Sequence, residues 1–341
     1  MSQDRPLGAT VLSDGVEVRV WAPKARRVAL VIDGRELPMK REGGGTFAAE
    51  APGARVGSRY GFRLDGERPF PDPCSRSQPD GVHGLSEVIE PASFAWTDEA
   101  WMAQPGPPVP LAKLVLYELH VGTFTPEGTF AAAAARLEHL RDLGVTAVEL
   151  MPLHAFPGRF NWGYDPGAFF AVPPVYGTPD DLRALVDRAH ALGLAVFIDV
   201  VLNHLGPDGA YVNAYAPMLM PASTPWGSAV NLGEAGVRRF LREAALVWLT
   251  EFHADGLRLD ATSRLRDEQA PHFLAELSEA AAALPGPRRL LIAEDLRNHT
   301  VVTEPRGQGG QGLDSQWVDD LASMARQFAG DDQPYYAEYA G

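Results

Sequence analysis

Cysteine is nearly absent from this sequence: Cys74 is the one cysteine among 341 residues, so an intrachain disulfide is impossible. No apolar run approaches the roughly 18 residues that span a bilayer. The first residues, MSQDRPLGATVLSDG, lack the apolar core of a signal peptide. We therefore expect a protein of a reducing compartment, the cytoplasm, with no membrane-spanning helix.

Basic residues are also scarce, because 30 lysines and arginines face 44 aspartates and glutamates, for a formal net charge of −14. Such a surface repels phosphate backbones and anionic lipid headgroups. Nucleic acid and membrane surfaces are therefore excluded as expected partners. A neutral ligand such as a sugar meets no such penalty, but composition does not choose among neutral ligands.

Several motifs of metal, cofactor and nucleophile chemistry are missing as well. The histidines form neither an HxxxH pattern nor a zinc pattern with Cys74, and the chain has no GxGxxG, phosphate-loop or GxSxG sequence. A calcium site made from Asp199, Asn203 and His204 is a weaker alternative. We expect neither a metal nor a cofactor.

The first 95 residues show short stretches in which apolar and polar residues alternate. These stretches cover residues 16–21, 28–32 and 60–64, and Asp-Gly or Gly-rich turns separate them. Period-two alternation with such turns is typical of antiparallel hairpins. The sequence predicts an antiparallel β-sandwich over residues 1–95, followed by a stiff proline-rich linker over residues 96–113.

Strand-like and helix-like segments alternate from residue 114 to residue 341. The candidate strands are residues 114–121, 146–153, 195–201, 256–261, 290–295 and 313–318. Thr178, Pro179 and the acidic residues after them form a helix start, and further helices are predicted at 237–252 and 267–284. Nearly continuous apolar strands between helices predict a parallel sheet, either doubly wound or a (β/α) barrel.

Ionisable residues follow three consecutive strands of this region. Asp199 ends one strand, Arg258 and Asp260 end the next, and Glu294 ends the third. Catalytic groups of (β/α) barrels lie at such strand ends. Arg258 and Asp260 are two residues apart and therefore point to one face, where the arginine favours an ionised aspartate. Partial desolvation at the end of an apolar run would keep Glu294 protonated, and such a carboxyl pair suits glycoside hydrolysis.

A loop after the second strand carries aromatic residues that suit a sugar site. Trp162 and Tyr164 lie within the sequence NWGYD, which Asp165 ends. An aromatic face can stack on the apolar C–H face of a pyranose, although loop aromatics also serve as core anchors. We include Trp162, Tyr164 and Asp165 among the candidate substrate-binding residues, together with Asp199.

Three short motifs resemble the conserved regions of the α-amylase superfamily, glycoside hydrolase family 13. They are DVVLNH at residues 199–204, GLRLDA at residues 256–261 and IAED at residues 292–295. The resemblance implies a (β/α)8-type barrel, with Asp260 as the nucleophile and Glu294 as the general acid/base. It also implies a subsite for the glucose under attack, lined by Arg258, Asn203, His204 and Tyr164.

Longer segments are similar to the malto-oligosyltrehalose trehalohydrolases within that superfamily. They include YELHVGTFTPEGTF, NWGYDPGAFF, NHLGPDGAY, TPWG and PDGVHG. The similarity covers nearly the whole chain and implies an immunoglobulin-like, glucan-binding sandwich. It also implies cleavage of the α-1,4 bond beside the terminal trehalose of maltooligosyltrehalose, or of another α-glucan.

The sequence departs from the superfamily pattern in its second half. That pattern has eight strands and a third carboxylate in a His-Asp pair, whereas only six strands are predicted here and no His-Asp pair occurs. Residues 313–324 also lack histidines that the trehalohydrolase pattern implies. We expect a truncated barrel that is poorly active or inactive alone. Three explanations stay open: an artificially shortened chain, a disrupted gene, or one piece of a split enzyme, for which a complementing C-terminal fragment is a candidate partner. Two other hypotheses about the function remain open: a branching or debranching enzyme, and a non-catalytic glucan-binding protein.

Overall fold

The computed structural model describes residues 6–330, and its first part contains two antiparallel sheets. Their strands are β1 (Gly8–Leu12), β2 (Gly15–Trp21), β3 (Val28–Ile32), β4 (Arg35–Pro38), β5 (Lys40–Arg41), β6 (Thr46–Pro52), β7 (Arg59–Leu64), β8 (Pro69–Phe70) and β9 (Ser86–Glu87). One sheet has the order β1-β2-β6-β5 and the other β4-β3-β7-β8, with β9 also paired to β7.

The two antiparallel sheets share one apolar core. Val18 of β2 and Leu30 of β3 are fully buried in it, together with Phe62 of β7. The predicted antiparallel N-terminal region is therefore confirmed, including the three strands predicted from alternation. The strands that the sequence analysis did not predict are mostly short, and β4 and β5 are largely exposed, so they carry no hydrophobic alternation.

The second part of the chain contains a parallel sheet and one hairpin. The parallel strands are β10 (Leu116–Leu119), β11 (Ala147–Leu150), β12 (Ala195–Val200), β15 (Gly256–Leu259), β16 (Leu290–Glu294) and β17 (Ser315–Trp317), and the hairpin is β13 (Leu219–Thr224) with β14 (Gly227–Val230). Within residues 6–330 the six parallel strands follow chain order across the sheet. All six predicted strands are confirmed, but each is shorter than predicted, because the terminal residues leave the sheet and form loops.

Helices cover one side of the parallel sheet. They are α1 (Glu99–Met102), α2 (Val121–Phe124), α3 (Phe130–Ala134), α4 (Leu137–Asp142), α5 (Pro179–Ala191), α6 (Val212–Tyr215), α7 (Ala235–Thr250), α8 (Phe273–Ala282) and α9 (Asp320–Phe328). Short 3-10 helices lie at Gly43–Gly45, Pro91–Ser93, Leu111–Lys113, Thr262–Arg264, Thr300–Val302 and Arg306–Gln308. This arrangement confirms the barrel alternative as a six-strand partial (β/α) barrel. Within the described residues, no helix is both long and apolar enough to cross a membrane.

Two of the predicted helices show how local sequence sets a helix start. The Thr178 hydroxyl accepts a hydrogen bond from the backbone N–H of Asp181, and the Asp181 carboxylate accepts one from the backbone N–H of Thr178, so α5 begins with a full capping box. The helix predicted from residue 267 begins only at Phe273. Asp267 instead accepts from the backbone N–H of Phe273, and His272 caps the helix by accepting from Leu274.

The two sides of the parallel sheet bury different residues. Leu257 and Leu259 of β15 lie in the large core beneath α5 and α7, as their alternation predicts. The opposite side forms a second apolar cluster, the barrel-interior cluster, made of Ala147, Ala195, Phe197, Leu290 and Ile292. In β10, β11, β12, β15 and β16, every second residue, in register with this cluster, therefore points into the barrel.

A buried charge network lies at the N-terminal end of the barrel strands, where residues 96–113 pass beneath the sheet. His190, at the end of α5, lies with its ring nitrogens 2.8 Å from Asp98 and 3.0 Å from Asp255. Asp98 is also 2.9 Å from the ring of His253, and Trp101 of α1 donates to Asp255. The segment predicted as a linker is thus anchored to the barrel by its own side chains, and its status as a domain boundary stays a prediction.

Opposite pKa shifts in this network favour its charged form. Burial acts to lower the pKa of His190, but hydrogen bonds with Asp255 and Asp98 outweigh it and raise that pKa. Burial acts to raise the pKa of Asp98, but hydrogen bonds from His190 and His253 outweigh it and lower that pKa. The Asp98 contribution to stability is therefore lost as the pH falls below about 4, and the His190 contribution as it rises above about 6.5.

We predict that Asp98→Asn lowers the free energy of unfolding by about 3 kcal/mol at pH 5.5, because it leaves the buried His190 imidazolium with only one of its two carboxylate partners, Asp255. The variant should also lose less stability than the wild type between pH 5 and pH 3. Denaturant unfolding across this range measures both effects. Asp142→Asn, at an exposed pair with Arg141, serves as the control and should change little. Parallel curves for wild type and Asp98→Asn would contradict the assignment.

Candidate active site

The predicted catalytic residues meet at one end of the parallel sheet, where the carboxyl ends of β12, β15 and β16 lie side by side. The parallel register places Asp199 directly opposite Arg258 on the neighbouring strand. Arg258 in turn lies opposite Ile292, two residues before Glu294. Because side chains two residues apart share a face, all of these polar groups point into the mouth of the barrel.

Arg258 is the centre of this cluster. Its Nη1 donates to Oδ2 of Asp199 at 2.8 Å and to Oδ1 of Asp260 at 2.9 Å. Its Nη2 lies 3.1 Å from Oε2 of Glu294. Burial opposes the charge of the guanidinium, but Asp199, Glu294 and Asp260 outweigh it and raise the pKa of Arg258. A single cation therefore holds three carboxyl groups together.

Asp260 is oriented by a series of hydrogen-bonded polar groups that extends to Tyr164, in the loop after β11. Asn203 donates from Nδ2 to Oδ2 of Asp260 at 2.8 Å and to its backbone carbonyl at 3.0 Å. Nδ1 of His204 lies 2.8 Å from Oδ1 of Asn203, and Nε2 lies 2.8 Å from the carbonyl oxygen of Tyr164. Asn203 and His204 are buried, so they fix the carboxylate of Asp260 rather than move with solvent.

Glu294 is held by the turn that follows Asp260. The backbone N–H of Ala261 donates to Oε2 of Glu294 at 2.8 Å, and Thr262 donates to the Glu294 carbonyl at 2.9 Å. Ala261 has the left-handed backbone angles φ 43° and ψ 50°, which an alanine adopts only where its surroundings enforce them. Burial raises the pKa of Glu294, while Arg258 and the Ala261 N–H oppose the rise.

Asp199 is completely buried and contacts protein groups on both sides. Tyr164 donates its hydroxyl to Oδ2 of Asp199 at 2.8 Å, and Arg258 donates to the same oxygen. Burial raises the pKa of Asp199 to about 7, although Arg258 opposes it. Asp199 therefore positions Tyr164 and Arg258, and any effect of its carboxylate on a sugar passes through them.

The loop NWGYD divides its aromatic residues between the site and solvent. Gly163 has a φ of +95°, and a Cβ on it would lie 2.1 Å from the carbonyl oxygen of Pro152, so only glycine fits there. Beyond this turn Tyr164 reaches inward, whereas the Trp162 side chain remains 69% exposed. Asp165 accepts from Nδ2 of Asn161 at 2.9 Å and braces the loop rather than facing the carboxylates.

The predicted residues thus form two groups. Asp260, Glu294, Arg258, Asn203, His204, Asp199 and Tyr164 belong to one connected network of hydrogen bonds and ion pairs. Trp162 and Asp165 lie outside it, on the rim. Among the described residues no group of three histidine, cysteine or acidic side chains is arranged to hold a metal ion.

Comparison with known proteins agrees with this geometry. The family model for the α-amylase catalytic domain matches residues 70–217, and that for carbohydrate-binding module 48, the isoamylase N-terminal domain, matches residues 6–77. The malto-oligosyltrehalose trehalohydrolase of Deinococcus radiodurans is 46% identical over 98% of this chain and 54% of its own length. That of Saccharolobus solfataricus is 42% identical over 96% of this chain and 58% of its own length.

Residues 70–217 thus match an α-amylase catalytic domain. The solved structure of a candidate alpha amylase from Salmonella typhimurium superposes with a TM-score of 0.91 at 39% identity, covering 98% of this chain and 58% of that one. The predicted resemblance to malto-oligosyltrehalose trehalohydrolases is confirmed. The chain spans about half the length of the curated relatives it matches.

Some residues of this site escaped the sequence analysis. Trp226, at the turn of the β13–β14 hairpin, stacks on His204 with ring centroids 5.3 Å apart. His120 follows β10 and lies 2.9 Å from the hydroxyl of Tyr176. His120 and Trp162 line a cavity of about 330 Å³. His120 follows the carboxyl end of β10, so this cavity lies at the same end of the sheet as the predicted catalytic carboxyl groups. The rule that polar residues at strand ends carry function applies to His120, whereas no local pattern predicts the stacking of Trp226.

We predict that Arg258→Gln lowers the free energy of unfolding by about 3–5 kcal/mol at pH 7, because three carboxyl groups lose their shared cation. The loss should be smaller at pH 4, where the carboxyl groups can take up protons. Denaturant unfolding at both pH values measures it, with Arg141→Gln at an exposed ion pair as the control. An equal loss at both pH values would show that Arg258 acts by packing alone.

Proposed function

We propose that this chain belongs to the α-amylase family and carries the two catalytic carboxyl groups of a glycoside hydrolase that acts on α-glucans. We further propose that its substrate is maltooligosyltrehalose, cleaved at the α-1,4 bond beside the terminal trehalose to release trehalose. The names of its relatives, at 46% and 42% identity, support this substrate. The cytoplasmic location inferred from the single cysteine stays a prediction.

One observation carries the proposal: neighbouring nitrogens of the Arg258 guanidinium contact Asp260 and Glu294, with N–O distances of 2.9 Å and 3.1 Å. Two carboxyl groups that share one guanidinium are close together. Such closeness suits a retaining glycosidase, whose carboxyl groups lie about 5–5.5 Å apart, better than an inverting one, which leaves room for a water molecule.

The surroundings suit the two carboxyl groups to different roles. Arg258 and Asn203 orient the Asp260 carboxylate, which would attack the anomeric carbon as the glycosidic bond breaks. Glu294, whose pKa burial raises, would give its proton to the departing glycosidic oxygen. The resulting glycosyl–Asp260 ester would then be attacked by water, whose proton returns to Glu294.

Aromatic side chains around these carboxyl groups provide flat surfaces for sugar rings. Tyr164 is hydrogen-bonded to Asp199 inside the site, and Trp226 extends the ring of His204 toward solvent with half of its surface exposed. Trp162 is exposed above the cavity beside His120. We propose that these rings bind the glucose units on either side of the cleaved bond.

We also propose that this chain needs a complementing polypeptide for full turnover. Among residues 6–330 the parallel sheet ends at the edge strands β10 and β17. Apolar side chains lie exposed at both edges: Tyr117 of β10 is 37% exposed, and Leu321 and Phe328 of α9 are 81% and 87% exposed. A partner with further β/α units would pair with the edges and cover these residues. The resemblance implies that it would also supply the third carboxylate.

We predict that the purified 341-residue chain releases trehalose from maltooligosyltrehalose at least about 100-fold more slowly than a full-length relative. Addition of the unmatched C-terminal part of the Deinococcus radiodurans relative should restore most of the turnover. Chromatography of the products measures both. Turnover by the chain alone that equals a full-length relative would contradict the need for a partner.

In whichever preparation turns over, Asp260→Asn and Glu294→Gln should each lower kcat by about 10³-fold or more, because each removes one step of bond cleavage. The Kd for maltooligosyltrehalose should stay within about threefold of the wild type. Asp142→Asn, at the exposed end of α4 and outside the hydrogen-bond network of the site, is the matched control. Full activity of Asp260→Asn would show that the nucleophile is another residue.

A non-catalytic glucan-binding protein is the second candidate, and the match to carbohydrate-binding module 48 favours it. The two candidates differ in what happens to the bound sugar. If maltooligosyltrehalose binds but stays intact even with the C-terminal part of a relative present, the binding function is correct. New or lost α-1,6 branches would indicate a branching or debranching enzyme instead.

A further inference from the structure

Two buried carboxyl groups lie next to each other inside the barrel, and the proposed chemistry uses only one of them. Glu149 of β11 lies opposite Phe197 of β12, and Phe197 belongs to the barrel-interior cluster. Asp199, two residues after Phe197, points to the same side. Strand spacing and rise place the backbone positions of Glu149 and Asp199 only about 8 Å apart, with both side chains facing inward.

Each of the two carboxyl groups has one oxygen that is buried and without a hydrogen-bond partner. Asp199 receives the hydroxyl of Tyr164 and Nη1 of Arg258 on Oδ2, and within residues 6–330 its Oδ1 has no partner. Oε2 of Glu149 is likewise without a partner among the described residues. Their side chains belong to residues that are 0% and 1% exposed. Buried oxygens rarely stay unpaired, and two ionised carboxylates cannot satisfy each other.

The charged groups around Glu149 make a second negative charge costly. Asp199 faces it from β12 and Glu118 from β10, and both are acidic. Arg258 on β15 is the cation that faces it, and that guanidinium already contacts Asp199, Asp260 and Glu294. A fourth ionised carboxylate would have to share this one cation.

We propose that Glu149 and Asp199 share one proton, with Glu149 as a neutral carboxylic acid that donates to Oδ1 of Asp199. Both oxygens that lack a partner are then satisfied at once. Asp199 keeps a single negative charge with three donors around it: Glu149, Tyr164 and Arg258. Glu149 is therefore a positioning residue, which holds Asp199 so that Tyr164 and Arg258 stay aligned.

The direction of the pKa shift at Glu149 agrees with this arrangement. Burial, and then the charge of Asp199, raise the pKa of Glu149 to about 8, while Arg258 opposes them. Asp199 has two donors of its own, so the proton belongs on Glu149. The shared proton stands on geometry alone, whereas its effect on turnover rests on the proposed function.

Infrared spectroscopy of the 341-residue chain tests the shared proton without any turnover. At pH 6.5 the difference spectrum between wild type and Glu149→Gln should contain the carbonyl band of one protonated carboxylic acid. Glu118→Gln is the matched control, because Glu118 lies opposite Glu149 in the register but is exposed. Its difference spectrum should lack that band. Absence of the band from the Glu149→Gln difference spectrum would overturn the proposal.

Unfolding as a function of pH gives a second readout. A glutamic acid whose pKa is raised by folding costs stability as the pH rises from about 4.5 toward 8. Between pH 5 and pH 7.5 the unfolding constant of the wild type should therefore rise about 10²-fold more than that of Glu149→Gln. Curves that stay parallel within about threefold would overturn the proposal.

If Glu149→Gln fails to fold, a chain that keeps Glu149 still provides the answer. With ¹³C-labelled glutamate, the carboxyl resonances of Glu149 and Glu294 should both titrate above the range of free glutamic acid, and the Glu149 resonance should persist in Glu294→Gln. If no such resonance persists in Glu294→Gln, the proton is not on Glu149. In a preparation that turns over, Glu149→Gln should move the alkaline fall of kcat/KM to higher pH, because its amide donates at every pH. An unchanged alkaline limb would leave Glu149 without a positioning role, whatever the reaction proves to be.

Discussion

The rest of the site depends on one buried guanidinium. Arg258 contacts Asp199, Asp260 and Glu294, which come from three neighbouring parallel strands. Without that cation three carboxyl groups would repel each other in a partly dry cavity, where charges interact more strongly than in water. The parallel register fixes which strand ends are neighbours, and Arg258 turns their proximity into a stable arrangement.

This constraint links the fold to the proposed chemistry. Strand alternation directs Leu257 and Leu259 to the helices and Arg258 to the barrel mouth, so the same β15 both builds the core and holds the site. The turn after β15, with Ala261 in a left-handed conformation, then brings a backbone N–H to Glu294. Local strain at Ala261 therefore helps to fix the proposed acid/base beside the proposed nucleophile.

Much of this could be predicted from the sequence, because it depends on periodicity and strand ends. The six parallel strands, the start of α5 at Thr178 and the convergence of Asp199, Arg258, Asp260 and Glu294 follow from such patterns. Contacts between segments that are distant in the sequence cannot be predicted from such patterns. The stacking of Trp226 on His204 depends on how a hairpin folds over the site. The ion pair of His190 with Asp98 depends on how residues 96–113, which the sequence predicts to be a linker, pack against the barrel.

The central claim is that Asp260 and Glu294 act as a retaining pair held by Arg258. The most direct measurement is mass spectrometry after reaction with a slow 2-fluoro-glucosyl substrate, in a preparation that turns over. The account predicts one covalently bound glucosyl group, on the peptide that contains Asp260, and none on that peptide in Asp260→Asn. A glucosyl group on another residue, or cleavage with inversion at the anomeric carbon, would contradict it.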